Sequence, residues 1–253
     1  MSEPDLSINH AEIKIIWANQ IINKLDAEIK SFIERKPYSI SLEPEPNADA
    51  FFLKVELSEG IPFTIPCLIG DVCNNLRSSI DTCWMGLQRS VNPSCRRSYF
   101  PIRSQEVDLE KEVIKTLDGQ DLKKMMAILN QIKPHHEFES GGNKHLISLN
   151  DLNNWQKHNM LVPAFGVTRL GENTVIRSND GSVIELSRAL VSGRVAGIGG
   201  TKADMTYDSD PAVEVLVNAN KLGGYHPVIP LLIAFKDVAI DCLNCFKREF
   251  SNP

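Results

Sequence analysis

Two stretches hold side chains whose types and spacing are suited to chemistry: GDVCNNLRSSIDTCWMGLQ (70–88) and NKHLISLNDLNNWQKHNML (143–161). At about 100° per residue, the first reads as a helix with Ile69, Val72, Leu76, Ile80, Cys83 and Leu87 on one apolar face. Asn74, Arg77, Asp81 and Trp84 run along one edge of that face, while Asp71, Asn75 and Thr82 lie round toward the far side. A guanidinium at a core boundary is costly to bury alone, so Asp81 is its obvious partner. The Arg precedes the Asp by one turn, the less favourable order against the helix dipole, so simple helix reinforcement explains the pair poorly. Two readings stand. The pair is a structural ion pair that bridges to another element, or Arg77 is a cation positioned for an anionic ligand.

In the second stretch Leu146, Leu149, Leu152 and Met160 form a core stripe. His158 lies on the other side, in line with Asp151, Asn154 and Trp155, with Lys157 beside it. A carboxylate one or two turns away can orient an imidazole. A solvated polar face is the plain alternative, but Trp155 is an expensive side chain to leave in water. That face is expected to meet the rest of the fold or a partner.

The elements that must position these groups are legible in outline. Residues 9–36 read as one long helix, with Ile13, Ile16, Ile21, Leu25, Ile29 and Phe32 at helical spacing and Pro37 as its stop. YSISLE and FFLKVEL alternate on either side of the loop PEPNADA, a hairpin signal. Helices are predicted at 68–91, twice within 106–133 around Asp118-Gly119, and at 144–161. Beyond residue 162, VTRL, NTVIRS, GSVIELSRALVSGRVAG and AVEVLVNA are short β-like runs punctuated by Gly and Asn-Asp-Gly. PLLIAFKDVAIDCLNCFKREF (230–250) reads as a closing amphipathic helix. The predicted class is α+β: a helical part with one β-hairpin (1–165), then an antiparallel β-rich part with a C-terminal helix (166–253). Whether the two parts share one core is left open.

Composition sets further limits. The chain of 253 residues is 42% hydrophobic and 23% charged with a net charge of −5, so disorder and a whole-protein basic field for duplex DNA are both excluded. A local basic groove is not. No apolar run is long enough for a membrane span. The opening MSEPDLSINH lacks a signal-peptide profile, which predicts a cytoplasmic protein. The six cysteines then read as reduced core thiols. Cys242-x-x-Cys245 has zinc-like spacing, but no second pair completes a tetrahedral site, so no metal is expected.

Several familiar motifs fail. GIGGTK (197–202) places Thr before Lys, against the phosphate-loop order, and lacks the dinucleotide pattern's third Gly. It reads as a glycine turn after a strand. There is no GxSxG elbow and no HExxH. His135-His136 follows Pro134 and reads as an exposed turn. No cofactor is expected.

Four separated motifs in order carry a resemblance: GDVCNNLRSSIDTCW, YFPI (99–102), IKPHH (132–136) and LNDLNNWQKHNML. Over roughly residues 10–165 the chain resembles a large family of uncharacterised bacterial proteins, whose helix reads approximately Gly-Asp-x-x-His-Asn-Leu-Arg-Ser-Ala-Leu-Asp-His. The family's later motif reads approximately Leu-x-x-Leu-x-Asn-x-Asp-Lys-His-Arg. Gly70, Asp71, Asn75, Leu76, Arg77, Ser78, Asp81, Asn154, Lys157 and His158 match. Asn74 and Thr82 stand where the family helix has histidines, Gln156 replaces an Asp, and Asn159 replaces the final Arg. The family helix in turn looks like the pattern of HEPN ribonucleases, an Arg followed about a turn later by His on a helical bundle.

The resemblance implies RNA cleavage or nucleotide binding. Three functions follow. In the first, Asp71, Asn75, Arg77, Asp81, Asn154, Trp155, Lys157 and His158 line a site for RNA or a nucleotide-like anion, with Trp155 or Trp84 as a stacking surface. In the second, a metal-independent ribonuclease uses His158 as acid–base group and Arg77 and Lys157 to stabilise phosphoryl charge. In the third, the same residues are the internal ion-pair network of a structural or regulatory protein. Oligomerisation is compatible with all three.

Overall fold

The computed structural model describes residues 3–44, 50–95, 99–114, 119–137, 139, 141–158, 164–169, 174–178, 183–186, 190–191, 193–199, 205–208 and 212–251. The fold is α+β. Helix α1 spans Glu3–Glu34, strands β1 and β2 span Tyr38–Pro44 and Ala50–Leu57, and helix α2 spans Thr64–Val91. Then follow α3 (Glu106–Ile114), α4 (Gly119–Ile132) and α5 (Lys144–His158). Seven strands come next: β3 (Ala164–Arg169), β4 (Thr174–Ser178), β5 (Val183–Leu186), β6 (Leu190–Val191), β7 (Gly193–Gly199), β8 (Met205–Asp208) and β9 (Ala212–Ala219). A 3-10 turn at Asn220–Leu222, strand β10 (Gly224–Pro227) and helix α6 (Val228–Ser251) close the chain. Residues 45–49 of the PEPNADA loop, Asp118, Asn159, Met160 and the end of GIGGTK lie outside the described residues.

The chain divides into two compact units. One comprises Met1–Asp26, Pro66–Pro163 and Asn218–Pro253, and the other Ala27–Ile65 and Ala164–Val217. Spatial contact therefore groups the hairpin with the later strands, and the terminal helix with the helical part.

In the first unit α1, α2 and α6 each contribute to the core. Ala11, Ile15, Ala18, Ile22 and Leu25 supply α1's share, Ile69, Val72, Leu76 and Ile80 supply α2's, and Phe235 and Phe246 come from α6. The α2 stripe is the one its periodicity predicts. The α1 reading holds in part: Ile21, Leu25, Ile29 and Phe32 are buried, whereas Ile13 and Ile16 point outward, 61% and 59% exposed. Seven successive residues, HAEIKII (10–16), contain isoleucines on both sides of the helix, and the small Ala11 and Ala18 select the inward side by permitting close approach. Helix α6 runs along α1, tied by Lys236 Nζ to Asn19 Oδ1 at 3.0 Å and by Lys247 to Glu12 at 2.5 Å, and also packs on α4 and α5.

Among the described residues the strand pairs of the second unit are antiparallel. β2 lies between β1 and β7, β3 between β9 and β6, and β4 between β5 and β8. The hairpin register sets Ile40 opposite Val55 and Leu42 opposite Leu53, as the alternation of YSISLE and FFLKVEL requires. Helix α1 leads into this unit through Lys36, whose φ of 52° ends the helix in the left-handed region just before Pro37. Among the described residues no helix is long and apolar enough to cross a membrane.

Candidate functional site

Arg77 sits on the buried side of α2, and its side chain is only 6% exposed. A guanidinium offers five N–H groups, more than one carboxylate can take up. Here all three nitrogens are engaged. Nη1 donates to Asp81 Oδ1 at 2.5 Å, Nη2 to the Phe100 carbonyl at 2.8 Å, and Nε to Asn150 Oδ1 at 3.1 Å. The Phe100 N–H donates back to Asp81 Oδ1 at 2.7 Å, which closes a ring of Arg77, Asp81 and the Phe100 main chain. The Phe100 ring is itself buried, edge-on to Trp84 at 5.4 Å and to Phe246 at 6.1 Å between centroids. Aromatic packing thus fixes the peptide that the charged pair binds.

The remaining motifs join the same construction. Two residues beyond Pro101, Arg103 donates its N–H to the Pro134 carbonyl at 3.1 Å, and His136 N–H donates to the Arg103 carbonyl at 3.2 Å. IKPHH then turns back: Asn143 N–H donates to the Lys133 carbonyl at 2.9 Å, and Asn143 Oδ1 caps α5 by accepting from Leu146 N–H at 3.0 Å. Gly142 fits this turn because a Cβ there would run into the His135 carbonyl. At the other end of α5, the Gln156 side-chain amide lies against Gly70, where any Cβ would overlap it. The motifs that are far apart in sequence are therefore consecutive parts of one seam that joins α2, the 99–103 segment, the 133–143 turn and α5.

Electrostatics follow from the enclosure. Burial pushes the Asp81 carboxyl above its usual range, against the opposing pull of Arg77, the Phe100 N–H and the charge of Lys157. Burial likewise raises Asp151, where the charges that pull it down are His136 and Lys221.

The other predicted residues separate into two groups. Asp71 is exposed, and Asn75 beside it donates its amide to the Asp71 carbonyl at 2.8 Å. Asn154, Trp155, Lys157 and His158 are exposed on the last turns of α5, Trp155 by 46%. Trp84, at 2% exposure, is closed to any stacking base. His135 is not in an exposed turn but 1% exposed, and neither of its ring nitrogens has a hydrogen-bond partner among the described residues. Sequence reasoning missed Asn150 and the Phe100 peptide. The donor count of the guanidinium was the available signal, since it demands acceptors beyond Asp81.

Cys73, Cys83, Cys242 and Cys245 are buried free thiols, Cys67 is exposed, and Cys95 is half-buried. Burial pushes Cys73 and Cys83 up to about 12, so neither supplies a thiolate nucleophile at neutral pH. Among the described residues no three His, Cys, Asp or Glu side chains are placed to hold a metal ion. Comparison with protein-family models, with curated proteins and with solved structures finds no match.

Proposed function

We propose that the chain is a structural or regulatory protein, in which Arg77, Asp81, Asn150 and the Phe100 peptide lock the helical unit together. The supporting observation is the internal engagement of all three Arg77 guanidinium nitrogens in a 6% exposed side chain. Phosphate recognition needs that planar fork free. Taking it from Asp81 would leave a carboxylate stranded in a largely buried site. The same observation weighs against a ribonuclease that uses Arg77 on the scissile phosphate. The test is a labelled single-stranded RNA incubated with the chain in EDTA. The lock reading expects wild type, Arg77→Lys and His158→Ala to be equally inert. Cleavage by wild type above the His158→Ala background would overturn it.

A second reading rests on the end of α5, where the half-exposed Trp155 has Lys157 and His158 as exposed neighbours. An indole face beside local cations suits a stacked base and its phosphate, so RNA or a nucleotide-like anion is proposed to bind there rather than at Arg77. Base–aromatic stacking is worth about 1–3 kcal/mol, so Trp155→Ala should weaken RNA binding by about tenfold in fluorescence anisotropy. Equal affinity of wild type and Trp155→Ala would remove this reading and leave the lock standing.

A further inference from the structure

Helix α1 carries a second apolar face that the described residues leave uncovered. Leu6, Ile13, Ile16 and Trp17 are 41%, 61%, 59% and 54% exposed, while Ala11, Ile15, Ala18 and Ile22 on the other side are buried. Ile13, Ile16 and Trp17 are spaced as neighbours on one helical surface, and Leu6 lies two turns earlier on the same side. Contiguous apolar area of this kind marks an interaction surface rather than scattered exposure.

The charge pattern selects the occupant. From Asn9 to Gln20 the exposed positions are Asn9, His10, Ile13, Ile16, Trp17 and Gln20, with no carboxylate and no ammonium. Glu12 and Lys14 flank the face half-buried, Glu12 already paired with Lys247 and Lys14 bonded to Ser78. A strongly charged partner finds no ion pair on this face, whereas a second copy buries no unpaired like charge against it. The face also matches itself when reversed. Two antiparallel α1 helices set Trp17 of each against Ile13 of the other, and Leu6 against the aliphatic stem of Lys24. The exposed parts of the four apolar side chains come to roughly 400–500 Å² per copy, and the polar flanks bring this to the lower end of specific interfaces, about 600 Å² per partner.

We infer that α1 pairs antiparallel with α1 of a second copy through Ile13, Ile16 and Trp17, as a weak dimer. The inference is independent of the lock and of RNA binding. Sedimentation velocity of the full chain over about 1–300 µM, the range for a micromolar dissociation constant, is expected to show a monomer passing to a dimer. The Ile16→Glu/Trp17→Ser variant should remain monomeric with an unchanged far-ultraviolet spectrum and melting temperature, since both side chains are more than half exposed. A chain with Ile16→Cys and Cys67→Ser should form a disulfide-linked dimer on mild oxidation, because Ile16 lies near the proposed twofold axis. Three results would each overturn the inference: a wild-type monomer across the range, a dimer undiminished in the variant, or a dimer that Ile16→Cys fails to cross-link. Monomeric chain that binds neutral phosphatidylcholine vesicles through Trp17 would assign the face to lipid and overturn it as well.

Discussion

Removal of the Arg77 guanidinium is the decisive perturbation of the seam. In Arg77→Ala, Asp81, whose side chain is 17% exposed, keeps the Phe100 N–H but loses its cation, and the Phe100 carbonyl and Asn150 Oδ1 lose their donor. Breaking a buried pair from one side costs about 3–5 kcal/mol, because the remaining charge is stranded. For a chain of this size that corresponds to a fall of about 6–20 °C in melting temperature. Trp84, edge-on to Phe100, is buried while Trp17 and Trp155 are half exposed, so a blue-shifted fluorescence component reports the seam directly. Urea titration followed at that component measures the loss, with circular dichroism in parallel. Arg77→Lys retains a cation for Asp81 but cannot span all three acceptors, so it should recover part of the loss. The double variant Arg77→Met/Asp81→Leu removes both charges and should be more stable than Arg77→Ala, since no ion is left unpaired. If Arg77→Ala melts within about 1 kcal/mol of wild type, the guanidinium is not a lock, and its enclosure needs another explanation.

Further outcomes follow from the same geometry. The raised Asp81 carboxyl binds its proton more tightly folded than unfolded, so its contribution is fully favourable below its unfolded value near pH 4 and is lost as pH rises through the folded value. The stability of wild type minus that of Asp81→Asn should therefore fall as pH rises across the window just above pH 4, and a difference that climbs instead would show that Arg77 outweighs burial. Gly142→Ala would drive a Cβ into the His135 carbonyl, a backbone atom, and should cost roughly 2–4 kcal/mol in chemical denaturation. Gly70→Ala meets only the end of the Gln156 side chain, which can swing away while Ala gains about 1 kcal/mol of helix propensity, so its net effect should be near zero. Labelling of the native chain with a thiol reagent should modify Cys67 first and spare Cys73, Cys83, Cys242 and Cys245 until denaturant is added; rapid native labelling of Cys73 would contradict its burial.

What the sequence reveals and conceals divides along physical lines. The faces of α2 and the hairpin register were legible because each depends on a local period: Ile69 to Leu87 repeats with the helix, and YSISLE alternates with the strand. Helix stops were legible at Pro37 and Pro134, although in both cases the preceding Lys takes up the positive φ. The inward face of α1 was legible only in part, because Ile13 and Ile16 match the period as well as Ile15 and Ile22 do. The deciding factor is the close approach that Ala11 and Ala18 allow, which hydrophobicity alone underweights. The partners of Arg77 were half legible. Asp81 lies one turn away on the same helix, whereas Asn150 and the Phe100 peptide reach it only through tertiary folding.

Short motifs spread over a chain are commonly taken as pieces of one active site, and the seam offers a different physical origin for such a pattern. A buried guanidinium imposes strict demands on every acceptor around it. Asp81 must be one turn away, Asn150 must project from α5, and the Phe100 peptide must present its N–H and carbonyl to the same two side chains. Gly142 must be bare for the turn before α5 to close on His135. Each requirement fixes a residue type at a set position with no ligand involved. On this account, exchanging Asn150 for Asp should be tolerated, since a second carboxylate still accepts from Nε, whereas Asn150→Leu should strand that N–H and cost about 1–3 kcal/mol. An Asn150→Leu variant as stable as wild type, yet altered in RNA affinity, would return the motifs to a binding site.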